Sequence, residues 1–223
     1  MRITHLGHAC LLVETTTARV LVDPGAFSTG WEELTDLDAV LLTHAHPDHV
    51  DVEKLPQLLE ANDGVLLRAE PELAASLADS GIDVAGSDVD LAPLHPGEHL
   101  DVGGLRVRAV GGTHALIHEE VPRIGNVGLL LSASGEPVLF HPGDSYASVP
   151  EGVDVLALPI SAPWAASRET ADFLRAVRPR VAVPVHDALL SAAGRAVYLR
   201  NVTSLAPEGT RLHDTGGSGV LEV

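Results

Sequence analysis

The sequence predicts an α/β protein in four layers: two mixed β-sheets face to face, with helices outside both. Two observations predict it. A group of short apolar runs is followed by strand–helix alternation, and the same succession then repeats. Several runs are apolar throughout rather than alternating, as in sheets covered on both faces.

Taken in order, the expected strands are 2–6, 10–14, 19–22, 39–43, 65–68, 105–110, 128–132, 137–140, 155–158, 181–185 and 219–223. They are rich in Val, Leu and Ile and bounded by Gly, Pro, Asp or His. Residues 50–61 carry Val52, Leu55, Leu58 and Leu59 at helical spacing, with Pro56 near the start or as a break. Residues 71–80 open on Pro71, a good first helical residue, and stop at Gly81. Ser167 is expected to cap a helix over 168–177, with Glu169 in its first turn, Arg175 and Arg178 toward its end, and Pro179 stopping it. A last helix is expected over 188–202.

The 223 residues suit a single domain spanning 1–223. Thirty-one Asp and Glu against 14 Lys and Arg give a formal charge of −17. That balance disfavours a nucleic-acid partner, which needs a basic face, and an anionic membrane surface. One cysteine, Cys10, requires no oxidising compartment and reads as a small buried strand residue. The first residues lack the uninterrupted apolar core of a secretory signal, and no run nears the ~18 apolar residues of a membrane span. The expectation is a soluble cytoplasmic protein. Twelve His beside excess Asp and Glu suit metals bound through N and O.

Five apolar runs end on a His or Asp: Asp23 in VDPG, the segment from His44 to His49, His114 in GGTH, His141 and Asp144 in HPGD, and His186. If those strands share sheets and direction, the residues meet on one rim, where α/β architectures place their sites. The densest cluster is THAHPDH. His44 and His46 are two apart, so both imidazoles point to one side of an extended strand end and can chelate one metal. Asp48 and His49 follow the turn at Pro47 and approach from another direction, toward a second metal. The ordinary alternative is a polar strand-to-helix loop with Asp48 as a cap. Four ligands within six residues argue against it.

THAHPDH resembles the HxHxDH metal motif of the metallo-β-lactamase fold superfamily. LVDPG, the His after the motif, HPGDS and PVHD follow in that family's order, from about Arg2 to His186. THLGHACLLVE, VLFHPGDS and VAVPVHD resemble its compact single-domain branch of metal-dependent hydrolases, which includes the ascorbate-6-phosphate lactonase. The resemblance implies a four-layer fold and two divalent ions, zinc by preference, with manganese or iron as alternatives. His44, His46 and His114 would hold the first ion and Asp48, His49 and His186 the second, with Asp144 between them. It implies a hydrolase in which a bridging hydroxide attacks an ester, lactone, amide or phosphoester of a small molecule, with Asp48 or a metal-bound water handling the leaving-group proton.

Other residues are read individually. His118 competes with His114, and otherwise faces substrate or sits on an exposed loop. Asp23 supports the metal loop from behind in the family, and an Asp-Pro-Gly turn is the simpler reading. His141 either faces the site to stabilise charge or packs at a strand end. His8 either reaches the metal ligands or is a core His bonded to backbone. Trp164 lies on the pocket side or in a lid or subunit contact, and Trp31 is a second candidate for such a contact. Ser161 is offered as a substrate-bonding group. His5, His95, His99 and His213 carry no functional expectation, and Arg123 is a lone loop cation.

The alternatives are an iron-dependent oxidoreductase of the sulfur dioxygenase kind and a nuclease. His at position 46, where the diiron flavoprotein branch has Glu, disfavours the flavoprotein form of the first. The single Lys, Lys54, and the acidic charge disfavour the second. A non-enzymatic protein with a vestigial site is disfavoured by the intact ligand set. A homo-oligomer is compatible with the sequence.

Overall fold

The computed structural model describes residues 1–80 and 89–223. Gly81, expected to stop the second helix, lies outside the described residues. One sheet holds β1 (Arg2–His5), β2 (Leu11–Glu14), β3 (Arg19–Val22), β4 (Ala39–Leu42), β5 (Leu66–Ala69), β6 (Asp90–Pro93) and β14 (Gly219–Glu222). Its order is β14-β1-β2-β3-β4-β5-β6: antiparallel from β14 to β3, and parallel from β3 to β6. The second holds β7 (His99–Val102), β8 (Leu105–Gly111), β9 (Val127–Ser132), β10 (Leu139–His141), β11 (Val155–Pro159), β12 (Val181–Val185) and β13 (Arg211–Leu212). It is antiparallel from β7 to β10 and parallel from β10 to β13.

The period of two along each strand divides its side chains between two cores. Ile3, Val20, Val22, Ala39 and Leu41 meet Leu105, Val107, Leu129, Leu131, Ala157 and Val183 between the sheets. The alternate residues Leu21, Val40 and Leu42 pack outward with Trp31 against α1 (Leu55–Glu60) and α2 (Pro71–Asp79). Phe140, Leu156 and Leu158 do the same against α3 (Ser167–Val177) and α4 (Ala192–Leu205). Both faces of each sheet are therefore covered, and every residue of β4, β11 and β12 is buried. Each fully buried Leu or Val contributes about 1.5–3 kcal/mol.

Three strands escape sequence reading. β6, β7 and β13 are short, partly polar strands at or beside the sheet edges, where nothing demands an apolar run. Pro184 is tolerated in β12 because β13 pairs only with Val181 and Ala182, leaving one open edge beyond.

The first and last helices begin later than expected, the second begins at Pro71 as expected, and the third begins one residue early. Asp51 Oδ1 accepts from the amides of Glu53 and Lys54 and holds that stretch as a turn, so α1 is confined to Leu55–Glu60 with Pro56 in its first turn. Ser167 is not the cap of α3 but its first residue. The cap is Ala166, whose N–H donates to Glu169 Oε2 at 3.0 Å. A turn closed by Leu190 N–H on the Asp187 carbonyl delays α4 until Ser191, which caps it by accepting from Gly194 N–H. Trp31 is fully buried and therefore not a subunit-contact residue. Cys10 is also fully buried, and among the described residues no helix is long and apolar enough to cross a membrane.

Candidate metal centre

The C-terminal ends of β3, β4, β8, β10 and β12 deliver Asp23, the THAHPDH segment, His114, Asp144 and His186 to one rim. Two groups of four ligand-type side chains form there. His44, His46, His114 and Asp144 make one, and His8, Asp48, His49 and His186 the other; within each, one ligand atom per residue lies within 4.8 Å of the others. Asp144 reaches both groups, with Oδ2 3.5 Å from His114 Nε2 and 3.2 Å from His186 Nε2, and Oδ1 3.2 Å from His49 Nε2.

The local backbone is shaped for this. Asp23, buried and in the left-handed region, accepts from Thr43 N–H (2.8 Å), Thr43 Oγ1 (2.7 Å) and His49 Nδ1 (2.7 Å). Gly25 packs so closely on the motif that a Cβ would fall 1.9 Å from the Asp48 carbonyl oxygen. Gly143 takes φ +59°, and a Cβ there would meet Asn126 Oδ1 at 2.3 Å. Asn126 sets the HPGD turn, accepting from Asp144 N–H and donating to the Pro142 carbonyl.

These anchors fix which ring nitrogen each His presents. His49 Nδ1 donates to Asp23, His114 Nδ1 to the Ala115 carbonyl (2.6 Å) and His186 Nδ1 to the Ser161 carbonyl (2.6 Å). Thr43 Oγ1, having donated to Asp23, accepts from His44 Nδ1 at 3.0 Å. The Nε2 atoms are left pointing at one another. His49 Nε2, His114 Nε2, His186 Nε2 and Asp144 Oδ1 are buried with no hydrogen-bond partner among the described residues. Their approaches to carboxylate oxygens are close without hydrogen-bond geometry. Buried polar atoms are rarely left so. Convergent imidazole Nε2 atoms and carboxylates are the donor set of a borderline divalent cation, so these residues fit two such ions.

The electrostatics agree. Burial opposes ionisation of Asp144, yet His49, His114 and His186 hold it well below the usual carboxylate range. Burial likewise opposes ionisation of Asp48, and the nearby His186 ring together with the hydrogen bond from His8 overcomes it. Burial would lower His186 and His49. Asp144 and Asp48 instead push His186 up to about 9, and Asp144 and Asp23 raise His49 well above its ordinary value. Burial pushes His44 well down and lowers His46, which is half-exposed. The carboxylates thus demand positive charge at this spot, from imidazolium or from cations.

Of the remaining sequence candidates, His118 is exposed and outside both groups, its Nδ1 accepting from Glu120 N–H. His141 does not face the site. Its Nε2 donates to the Ala9 carbonyl and its Nδ1 accepts from Gly143 N–H, so it packs as a strand-end His. Ser161 meets the site through its carbonyl on His186. Trp164 Nε1 donates to Asp144 Oδ2 at 2.7 Å, with its ring edge-on to Tyr146. His8 Nε2 lies 2.9 Å from Asp48 Oδ2. Three contributors escaped sequence reading. Thr43 was passed over as the first letter of the motif. Asn126 carried one signal, a polar residue at the head of a buried strand. His5, whose Nε2 donates to the His8 carbonyl, carried none.

Residues 2–186 match a family described as "Beta-lactamase superfamily domain". Protein Rv0786c of Mycobacterium tuberculosis is 45% identical over 92% of each chain. A UPF0173 metal-dependent hydrolase of Bacillus velezensis is 31% identical over 83% of this chain and 85% of its own. Among solved structures, the metallo-β-lactamase fold protein YhfI from Bacillus subtilis superposes with a TM-score of 0.74 (14% identical; 99% of each chain). The diiron β-hydroxylase CmlA from Streptomyces venezuelae superposes with a TM-score of 0.68 (18% identical; 100% of this chain and 54% of its own).

Proposed function

This chain belongs to the metallo-β-lactamase superfamily and, with its UPF0173 relatives, to the metal-dependent hydrolases; from that premise we propose that it hydrolyses a small-molecule ester, lactone, amide or phosphoester at a site for two zinc ions. The observation that carries the reading is the set of orphaned Nε2 atoms of His49, His114 and His186 around Asp144. His44, His46 and His114 would hold one ion and Asp48, His49 and His186 the other, with Asp144 shared. Bound there, such ions supply Lewis acidity and lower the pKa of a water toward neutrality.

The chain's own residues do the rest. The carbonyls of Ala115 and Ser161 and the carboxylate of Asp23 keep each Nδ1 protonated and each Nε2 bare. Asp48, the most accessible carboxylate of the centre, is placed to carry the leaving-group proton on a carboxylate oxygen. Leu116, Ile117 and Val121 line a hollow beside His46 and His114 and are partly exposed, which supports an apolar substituent next to the scissile bond. Arg123 commits its Nε to the His114 carbonyl, so it serves the loop before any substrate phosphate.

The test is a panel of lactones, thioesters, β-lactams and phosphodiesters assayed before and after chelation. The expected result is one or more substrates whose hydrolysis disappears with chelation and with His46→Ala. A metal-free His46→Ala protein that kept full hydrolase activity would overturn the reading. Iron in the purified protein, with oxygen consumption and no hydrolysis, would favour the oxidoreductase instead.

A further inference from the structure

His8 stands in the second ligand group, and two roles are open to it: a further ligand, or a holder of Asp48. Its neighbours decide between them. The Ala188 N–H points at His8 Nδ1 from 3.3 Å, so Nδ1 must be the bare, accepting nitrogen. The proton therefore sits on Nε2, which faces Asp48 Oδ2 at 2.9 Å and donates to it. A ring nitrogen carrying its proton toward a carboxylate has no lone pair for a cation.

The ring is held on every side. The His8 carbonyl accepts from His186 N–H at 2.7 Å and from His5 Nε2 at 2.9 Å. His5 Nδ1 in turn accepts from Thr215 Oγ1 at 2.8 Å, tying the loop to the segment before β14. Phe27 lies edge-on to the His8 ring at 5.4 Å. Gly7 at φ +102° and His8 itself at φ +50° take left-handed conformations. A non-glycine residue is seldom found there unless its surroundings impose it. The His8 side chain is fully buried, while that of Asp48 is 18% exposed.

We propose that His8 is a positioning residue, whose Nε2–H fixes the Asp48 carboxylate and thereby sets the affinity of the second metal position while leaving the first unchanged. The proposal rests on the reading that Asp48 belongs to a metal-holding group. Asp48 lies on a loop rather than within a strand, and it is the most exposed member of its group. A hydrogen bond from a buried, fully anchored ring removes most of its rotational freedom before an ion arrives.

The experiment is a titration of the metal-free, full-length protein with Zn²⁺ against a chromophoric chelator. Four proteins are compared: wild type, His8→Phe, Asp48→Ala and the double variant. Wild type is expected to take up two equivalents. His8→Phe, which keeps a ring against Phe27, is expected to bind the first as wild type and the second about 10–100-fold more weakly. In the double variant, His8→Phe should add nothing to the loss from Asp48→Ala, because the donor then has no side-chain oxygen left to hold. If His8→Phe binds both equivalents as wild type, or weakens both equally, the positioning role is overturned. If the two losses multiply in full, His8 is an independent ligand and the role is again overturned. Should His8→Phe fail to fold, His8→Asn replaces it, since Asn tolerates a left-handed backbone and its amide is too short to reach Asp48. Wild type taking up a single ion overturns the dinuclear reading itself, an outcome distinct from any difference between variants.

Discussion

The two halves of the metal centre are built by different means. In the half formed by His44, His46, His114 and Asp144, the imidazoles are anchored close to their own sequence, and only Asp144 is held from a distance, by Asn126 and Trp164. His44 leans on neighbouring Thr43, His114 on neighbouring Ala115, and His46 is half-exposed with ring contacts to His44 and His114 at 4.9 and 4.7 Å. The half formed by His8, Asp48, His49 and His186 is held from afar. Asp23 reaches His49 from β3, Ser161 reaches His186 from the loop after β11, and His8 reaches Asp48 across forty positions. The imidazoles of the first half therefore depend on local turns, while the second half depends on the fold being complete; each half has one half-exposed member, His46 or Asp48.

The largest effect should come from removing what the halves share. Asp144→Ala is expected to lose about a thousandfold or more in hydrolysis and to lower occupancy of both positions, read by mass spectrometry of bound metal. If it emptied one position and left the other at full occupancy, the carboxylate would belong to one half alone.

Asp23→Ala, which removes support from Thr43 beneath His44 as well as from His49, should cost far more stability than a change at half-exposed His46. It leaves Thr43 N–H, Thr43 Oγ1 and His49 Nδ1 without their acceptor in a fully buried place. The metal-free protein is expected to lose about 3–5 kcal/mol in urea unfolding. His46→Ala, at the half-exposed end, should lose less than about 1 kcal/mol by the same measurement.

Acid should discriminate as well. His186 is raised above its ordinary value to about 9, so the metal-free protein binds a proton there that an ion must displace. The charged form stabilises the metal-free fold below the ordinary value of about 6.5, and that stabilisation is lost as pH rises through about 9. Metal affinity at the second position should accordingly rise with pH up to about 9, by as much as about tenfold per unit for this proton. His46 is lowered, so the first position should show a shallower slope over the same range. Isothermal titration at several pH values reads both slopes.

Smaller effects should follow at the margin. Trp164→Phe keeps the ring against Tyr146 and removes the donor to Asp144 Oδ2. About tenfold in activity, with under about 1 kcal/mol in stability, is expected. His118→Ala should leave metal content and stability unchanged.

Much of this was legible because the motif is local. THAHPDH carries two ligands of each half within six residues, and the apolar runs before Asp23, His114, Asp144 and His186 mark strand ends. Those strands could be read because both faces are buried, which forces Val and Leu at successive positions. The edge strands β6 and β7 carry no such demand and were missed. The support of the second half was hidden for a related reason. His5 is one polar residue in a short strand; it bonds the His8 carbonyl three residues on, while its other partner, Thr215, is set by the meeting of the two ends of the chain, which no spacing records. His141 illustrates the opposite error: its place between a strand and Asp144 looked functional, but both ring nitrogens are spent on backbone.

The most direct test of the central claim is metal analysis of untreated protein, followed by chelation and reconstitution under a hydrolase assay. Two divalent ions per chain are predicted, with activity lost on chelation and restored by the same metal. A protein that hydrolyses its substrate at full rate with no bound ion would contradict it.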